Sequence, residues 1–147
     1  SYLNESNKNE VFNVGKGRVL SDGTDITLIT CGGIAEVAIE AKIELLKHNI
    51  NCRVISMHTI KPIDKNIIID SVNETDGIVT LEEHSLIGGL GGAVSEVLMQ
   101  EGVYPKKFKM LGLVSEFSTI VGSQDYLRKI NKIDKNSIVS DIISLLK

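Results

Sequence analysis

The sequence predicts an α/β fold with a mostly parallel sheet buried on both faces. Short β-branched runs alternate with segments of helical period, the pattern of strands joined by helical crossovers. The apolar content is overwhelmingly aliphatic: 20 of the 147 residues are isoleucine, six are aromatic and none is tryptophan. That composition suits strands covered by helices on both sides. Glycine, aspartate and asparagine punctuate the segments regularly from Gly15 onward.

At about 100–200 residues per domain, the chain holds one domain. Residues 1–14 are polar and lack a period, and read as a linker or arm preceding a domain over 15–147. Arg18–Ser21 is a short extended run. Asp22-Gly23 is a turn signal, and Asp25–Thr30 is a strong strand, so the two runs are predicted to pair as an antiparallel hairpin. Cys31-Gly32-Gly33 opens a helix from about Ile34 to His48, with Ile34, Val37, Ala38, Ala41 and Leu45 on one face. Cys52–Ser56 is the next strand. Asp64 can cap a helix over Lys65–Asn73, with Ile63 and Ile68 at the positions of a hydrophobic staple.

Gly77–Glu82 reads as a third core strand and Glu83–Leu90 as a loop. A helix starts at Gly91 or Gly92 and runs to Gln100, with Gly102 as its stop. Lys107–Leu111 is the last strand. Leu113–Gly122 is irregular, Ser123 can cap a helix to about Lys129, and Asp134 can cap a final helix over Lys135–Leu146. Its buried stripe is Ile138, Val139, Ile142, Ile143 and Leu146.

Several function classes are excluded by composition. A net charge of −3 gives no general nucleic-acid footprint, and six scattered aromatics make no stacking platform. No apolar run approaches the ~18 residues of a membrane span. Ser1–Ser6 has neither a basic nor an apolar region, so no signal peptide is expected and a cytoplasmic location is. Two cysteines make neither a disulfide framework nor a four-ligand zinc site. The strand placement sets Cys31 and Cys52 roughly 16 Å apart along neighbouring strands, beyond the ~7 Å reach of a disulfide, so both are predicted to stay reduced. His48, His58 and His84 lack metal-ligand spacing. His48 is expected on the surface at a helix end. Lys107 and Lys109 are expected on one side of a solvated edge strand.

The chemistry-bearing segment is Glu82-Glu83-His84-Ser85-Leu86-Ile87-Gly88-Gly89-Leu90-Gly91-Gly92, after a strand and before a helix. In open α/β sheets ligands bind beyond the carboxyl ends of strands, often at a helix N-terminus. The string is neither a phosphate loop with Gly-Lys-Ser/Thr nor a dinucleotide fingerprint, since Val94 stands at the third-glycine position. Its glycines either allow a tight turn and close helix–sheet packing, which is the favoured reading, or admit an anion. Glu82 and His84 share one face of an extended chain and Glu83 takes the other. An acid/base cluster lacks a placed nucleophile, because Ser85 has no Gly-x-Ser-x-Gly setting. Glu82, Glu83, His84, Gly88, Gly89 and Gly91 are therefore candidates for a loop or an interface, and no catalytic, cofactor-binding or metal-ligating residue is assigned.

Three stretches, in order, resemble one family. Phe12–Gly17 with Val19-Leu20 and Asp22–Ile29 is similar to the opening of the transketolase C-terminal domain. Arg53–Asp64, containing Met57-His58-Thr59-Ile60-Lys61-Pro62, is similar to its second stretch, and Glu82–Gly91 to its third. The same domain occurs in 1-deoxyxylulose-5-phosphate synthase and in the beta subunits of 2-oxo acid dehydrogenases, but the Met57–Pro62 string looks more like transketolase. The resemblance implies a three-layer α/β/α domain with five strands in the order 1-3-2-4-5, the first antiparallel. It implies part of a transferase that moves a two-carbon ketol unit between sugar phosphates. That enzyme uses thiamine diphosphate with Mg²⁺ or Ca²⁺, and its partners are upstream pyrimidine and diphosphate domains in a homodimer. The family's Gly-Asp-Gly and Asn-Asn cofactor motif does not occur: Ser21-Asp22-Gly23 and Asn49-Ile50-Asn51 are the nearest strings. No cofactor is thus expected in this domain, which is expected to be inactive alone and to stabilise the dimer. The competing class is a free-standing regulatory module with an anion at Gly88–Gly92.

Overall fold

The computed structural model describes residues 15–85, 89–113, 128–129 and 132–147, with the backbone alone at 84, 85 and 113. The anticipated arm over 1–14 and all but two residues of the helix anticipated over Ser123–Lys129 lie outside them. The strands are β1 (Gly17–Ser21), β2 (Ile26–Thr30), β3 (Cys52–Met57), β4 (Gly77–Ser85) and β5 (Lys107–Leu113). The helices are α1 (Ala35–Lys47), led by a 3₁₀ turn over Gly32–Ile34, α2 (Lys65–Glu74), α3 (Leu90–Glu101) and α4 (Lys135–Leu146).

The sheet order is β1-β3-β2-β4-β5. β2 lies parallel to both β3 and β4, and β4 parallel to β5. This is the architecture the family resemblance implies. The hairpin read from Asp22-Gly23 does not form: β1 pairs antiparallel with β3, Gly17 opposite Met57 and Ser21 opposite Val54. The link after β1 crosses the amino end of β3 to reach β2 on its far side. Gly23 lies directly on that end, where an added Cβ would sit 2.4 Å from the carbonyl carbon of Cys52. The glycine serves close backbone approach, not a two-residue turn.

Side chains alternate between the two faces of each strand. Ile26, Leu28, Cys52, Val54, Val79, Leu81 and Leu111 face α1 and α4, where they meet Val37, Ala38, Ala41, Leu45, Ile138, Val139 and Ile142. Ile29, Ile55, Met57 and Ile78 face α2 and α3, where they meet Ile68, Leu90, Val94, Val97 and Leu98. Each fully buried Leu or Ile contributes about 1.5–3 kcal/mol of transfer free energy, so the two aliphatic layers hold the sheet between helices.

Helix ends follow local chemistry. Asp64 Oδ1 accepts from Ile67 N at 3.3 Å and caps α2. Asn49 takes the left-handed conformation (φ 60°) after α1, with Ile50 N donating to Leu45 O and Asn49 N to Leu46 O, both at 3.0 Å. Gly102 (φ 67°) ends α3 as expected. Asp134 stands at the N-cap of α4, but its Oδ1 accepts from Ser137 Oγ at 2.5 Å rather than from a backbone amide. Several boundaries move, among them the end of β5, expected at Leu111 and found at Leu113. β4 continues through Glu83 and His84 to Ser85, because Ser85 still pairs with Leu113 of β5, and α3 begins at Leu90.

Candidate functional site

β2, β3 and β4 run in parallel, so their carboxyl ends share one edge of the sheet. There Thr80 and Glu82 alternate onto the face covered by α3, while Glu83 turns to the opposite face. Glu82 is 1% exposed. Its Oε1 accepts from Leu90 N at 2.9 Å and its Oε2 from Gly91 N at 2.8 Å. These are the first two amides of α3, which no intrahelical carbonyl can satisfy. The carboxylate also meets the positive end of the helix dipole. A hydrogen bond to a charged group contributes about 1.5–3 kcal/mol, which offsets the burial of this acid. Glu83 accepts from the guanidinium of Arg128. Two adjacent acids on β4 thus hold chain on opposite faces of the sheet.

Gly91 is required by packing. A Cβ there would lie 2.7 Å from Met110 Sδ and 2.9 Å from Thr80 Oγ1, whereas one at Gly92 would meet nothing within 4 Å among the described residues. Gly89 is the extended N-cap of α3. Gly88 and the His84 side chain lie outside the described residues. Glu82, Glu83, Gly89 and Gly91 therefore gather at one end of the sheet as a structural clamp. The anion that the glycine string could have admitted is supplied by the chain itself. Glu82 takes the amides of Leu90 and Gly91, the first two of α3.

Cys31 follows β2 at the same edge. Burial first, and the nearby Glu82 charge second, raise its thiol pKa. Cys52, at the opposite end, is pushed up to about 12 by burial. Both thiols are free, as the strand placement predicts. His48 and His58 are exposed, and no cluster of His, Cys, Asp or Glu among the described residues could hold a metal. Lys109 reaches Asp141 at 3.5 Å and Lys106 reaches Asp76 at 3.6 Å, both at the surface.

One polar anchor, Arg53, and a second role for Asp64 are not legible in the sequence. Arg53, 8% exposed, donates Nε to Asp22 Oδ1 at 2.8 Å and Nη1 to Ser71 Oγ at 3.4 Å, and its Nη2 binds Glu74. A charged residue inside the apolar run Cys52–Met57 was the available signal. The cluster lies at the amino end of the strands, away from the edge where such sheets take ligands. Asp64 does double duty: beyond capping α2, its Oδ2 accepts from Gly17 N at 2.9 Å. Gly15 N donates to Thr59 Oγ1 at 3.2 Å, so the Met57–Pro62 string holds the start of the described chain at the carboxyl edge.

The family model for the transketolase C-terminal domain matches residues 15–138. A transketolase C-terminal section from Methanocaldococcus jannaschii is 41% identical over 144 residues, covering 97% of this chain and 44% of the relative. A 1-deoxy-D-xylulose-5-phosphate synthase from Halothermothrix orenii is 38% identical over 133 residues, covering 90% of this chain and 21% of the relative. The chain thus spans less than half the length of these relatives. Among solved structures, a chain described as a split gene transketolase in an inactive beta4 tetramer superposes with a TM-score of 0.83 at 34% identity, over 92% of this chain and 43% of that one. A Pichia stipitis transketolase shares the fold at a TM-score of 0.66 and 15% identity, over 90% of this chain and 18% of that one. Strand order, mixed polarity and a match across 15–138 agree, and the chain belongs to the transketolase C-terminal domain family.

Proposed function

We propose that this chain is the C-terminal part of a transketolase that transfers a two-carbon ketol unit between sugar phosphates. In this reading thiamine diphosphate and Mg²⁺ or Ca²⁺ are held by pyrimidine and diphosphate domains outside the 147 residues, as one chain or as a separate subunit. The present domain contributes stability and arrangement to a homodimeric enzyme and is inactive by itself. The observation that carries the reading is the family match over 15–138 together with a relative, described as a transketolase C-terminal section, that is matched over 97% of this chain. Glu82 supports the non-catalytic assignment, because it satisfies the helix terminus that a phosphate would need.

Reconstitution tests this. The purified chain titrated with thiamine diphosphate and Mg²⁺ should give no heat and no ketol transfer. Added to its companion cofactor-binding component, it should produce ketol transfer from a ketose phosphate to an aldose phosphate. Micromolar cofactor binding, or transfer by the 147 residues alone, would overturn the proposal. A second reading is the corresponding domain of a 1-deoxyxylulose-5-phosphate synthase, favoured by the 38% identity over 133 residues. A reconstituted enzyme that consumes pyruvate and releases carbon dioxide, with no activity on ketose phosphates, would select it.

A further inference from the structure

We propose that Glu82 is a resident anion, filling a small-anion site built from the amides of Leu90 and Gly91 beside the Thr80 hydroxyl and so barring phosphate from the α3 terminus. Two independent observations meet here. The carboxylate, 1% exposed, accepts both amides at 2.9 and 2.8 Å. Thr80 Oγ1 is fully buried and has no hydrogen-bond partner among the described residues. It lies under the same turn, 2.9 Å from where a Gly91 Cβ would stand. Thr80 and Glu82 are two apart on β4 and face α3 together. The position thus offers two oriented N–H groups at the positive end of a 12-residue helix, with an unused hydroxyl alongside.

The site lies where open parallel sheets take ligands, but a side chain of the strand occupies it. The inference does not depend on what the complete protein catalyses. It states which ligands this domain refuses, and which it would accept once the carboxylate is removed: formate, and at higher concentration inorganic phosphate.

The experiment uses the wild-type chain and two variants. Glu82→Ala empties the site and should lower Tm by roughly 6–24 °C through loss of two charge-assisted bonds. Sodium formate should restore much of that loss saturably, where sodium chloride at equal ionic strength does not. The wild type should show no saturable shift with formate or phosphate, and its Leu90 and Gly91 amide resonances should not move. Glu82→Gln keeps the volume but presents an amide NH₂ to one backbone N–H. One of the Leu90 and Gly91 amides should then exchange with solvent at least tenfold faster, and formate should not slow it. If Glu82→Ala folds only with formate, the proposal stands. If Glu82→Ala responds to formate no better than to chloride, the proposal fails. Saturable movement of the wild-type Gly91 amide with phosphate, or full protection of both amides in Glu82→Gln, would equally overturn it.

Discussion

Gly91 and Gly92 are neighbours in the first turn of α3, and replacing each with alanine separates packing from propensity. Both substitutions gain about 0.5–1 kcal/mol of helix propensity. At Gly92 nothing among the described residues lies within 4 Å of the new methyl, so the gain stands alone. At Gly91 the methyl would sit 2.7 and 3.0 Å from Met110 Sδ and Cγ and 2.9 Å from Thr80 Oγ1, against about 3.5–4.0 Å for a relaxed carbon contact. Met110 is 37% exposed and can swing aside. Thr80 is fully buried on a central strand and cannot, so the helix must rise and lengthen its bonds to Glu82. Overpacking of this kind costs about 1–3 kcal/mol. Gly91→Ala should therefore lose up to about 2.5 kcal/mol net, while Gly92→Ala gains about 0.5–1 kcal/mol. At ~2–4 °C per kcal/mol for a chain this size, Tm falls by up to about 10 °C in the first and rises by about 1–4 °C in the second. Thermal unfolding followed by circular dichroism reads both. In a Met110→Ala background Gly91→Ala should recover only the Met110 share, leaving the Thr80 contact. Equal Tm shifts for the two alanines would refute the packing argument.

Asp64→Ala should cost about 1–2 kcal/mol by uncapping α2, and it should speed hydrogen exchange at both Ile67 and Gly17, the two amides its carboxylate accepts. Faster exchange at Ile67 alone would show that Asp64 does not hold β1. The Arg53 hydrogen bond first, and the Gly23 amide second, depress the Asp22 pKa. A depressed folded value gives stability that is present above the ordinary aspartate range near ~3.9 and is lost as pH falls through the folded value. The Tm gap between wild type and Asp22→Asn should therefore narrow between about pH 5 and pH 2, by a small amount because Asp22 is 75% exposed. A gap that widens on acidification would contradict the sign. Iodoacetamide at pH 8 should label Cys31 slowly and Cys52 only after unfolding. Glu82→Gln, by removing the nearby charge that raises the Cys31 thiol, should speed Cys31 labelling. Unchanged labelling would remove Glu82 as a cause.

The aliphatic strands and amphipathic helices were legible because their cause is local. The period of Ile34, Val37, Ala38, Ala41 and Leu45 names a buried face, and all five are buried. The anchors were less legible because they depend on tertiary neighbours. Glu82 reads only as a candidate for a loop or an interface until α3 brings the Leu90 and Gly91 amides to it. Asp22-Gly23 has the sequence of a hairpin turn, yet Gly23 is needed for contact with a strand 29 positions later. Residue types gave the candidate acids at the carboxyl edge, whereas only the fold shows that their hydrogen-bonding capacity is already committed.

The position of β1 has a consequence for synthesis. Gly17 pairs with Met57, 40 residues further on, while the nearest strand in sequence, β2, is never its partner. At about 5–20 residues per second of translation, β1 waits roughly 2–8 s for β3. During that interval the turn signal at Asp22-Gly23 is present without the strand that gives it its native use. Only when Cys52 and Arg53 arrive does their backbone lie against Gly23 and the Arg53 guanidinium bind Asp22. The link after β1 is therefore fixed by residues made after β2, and its folding is a long-range event despite the local appearance of its sequence.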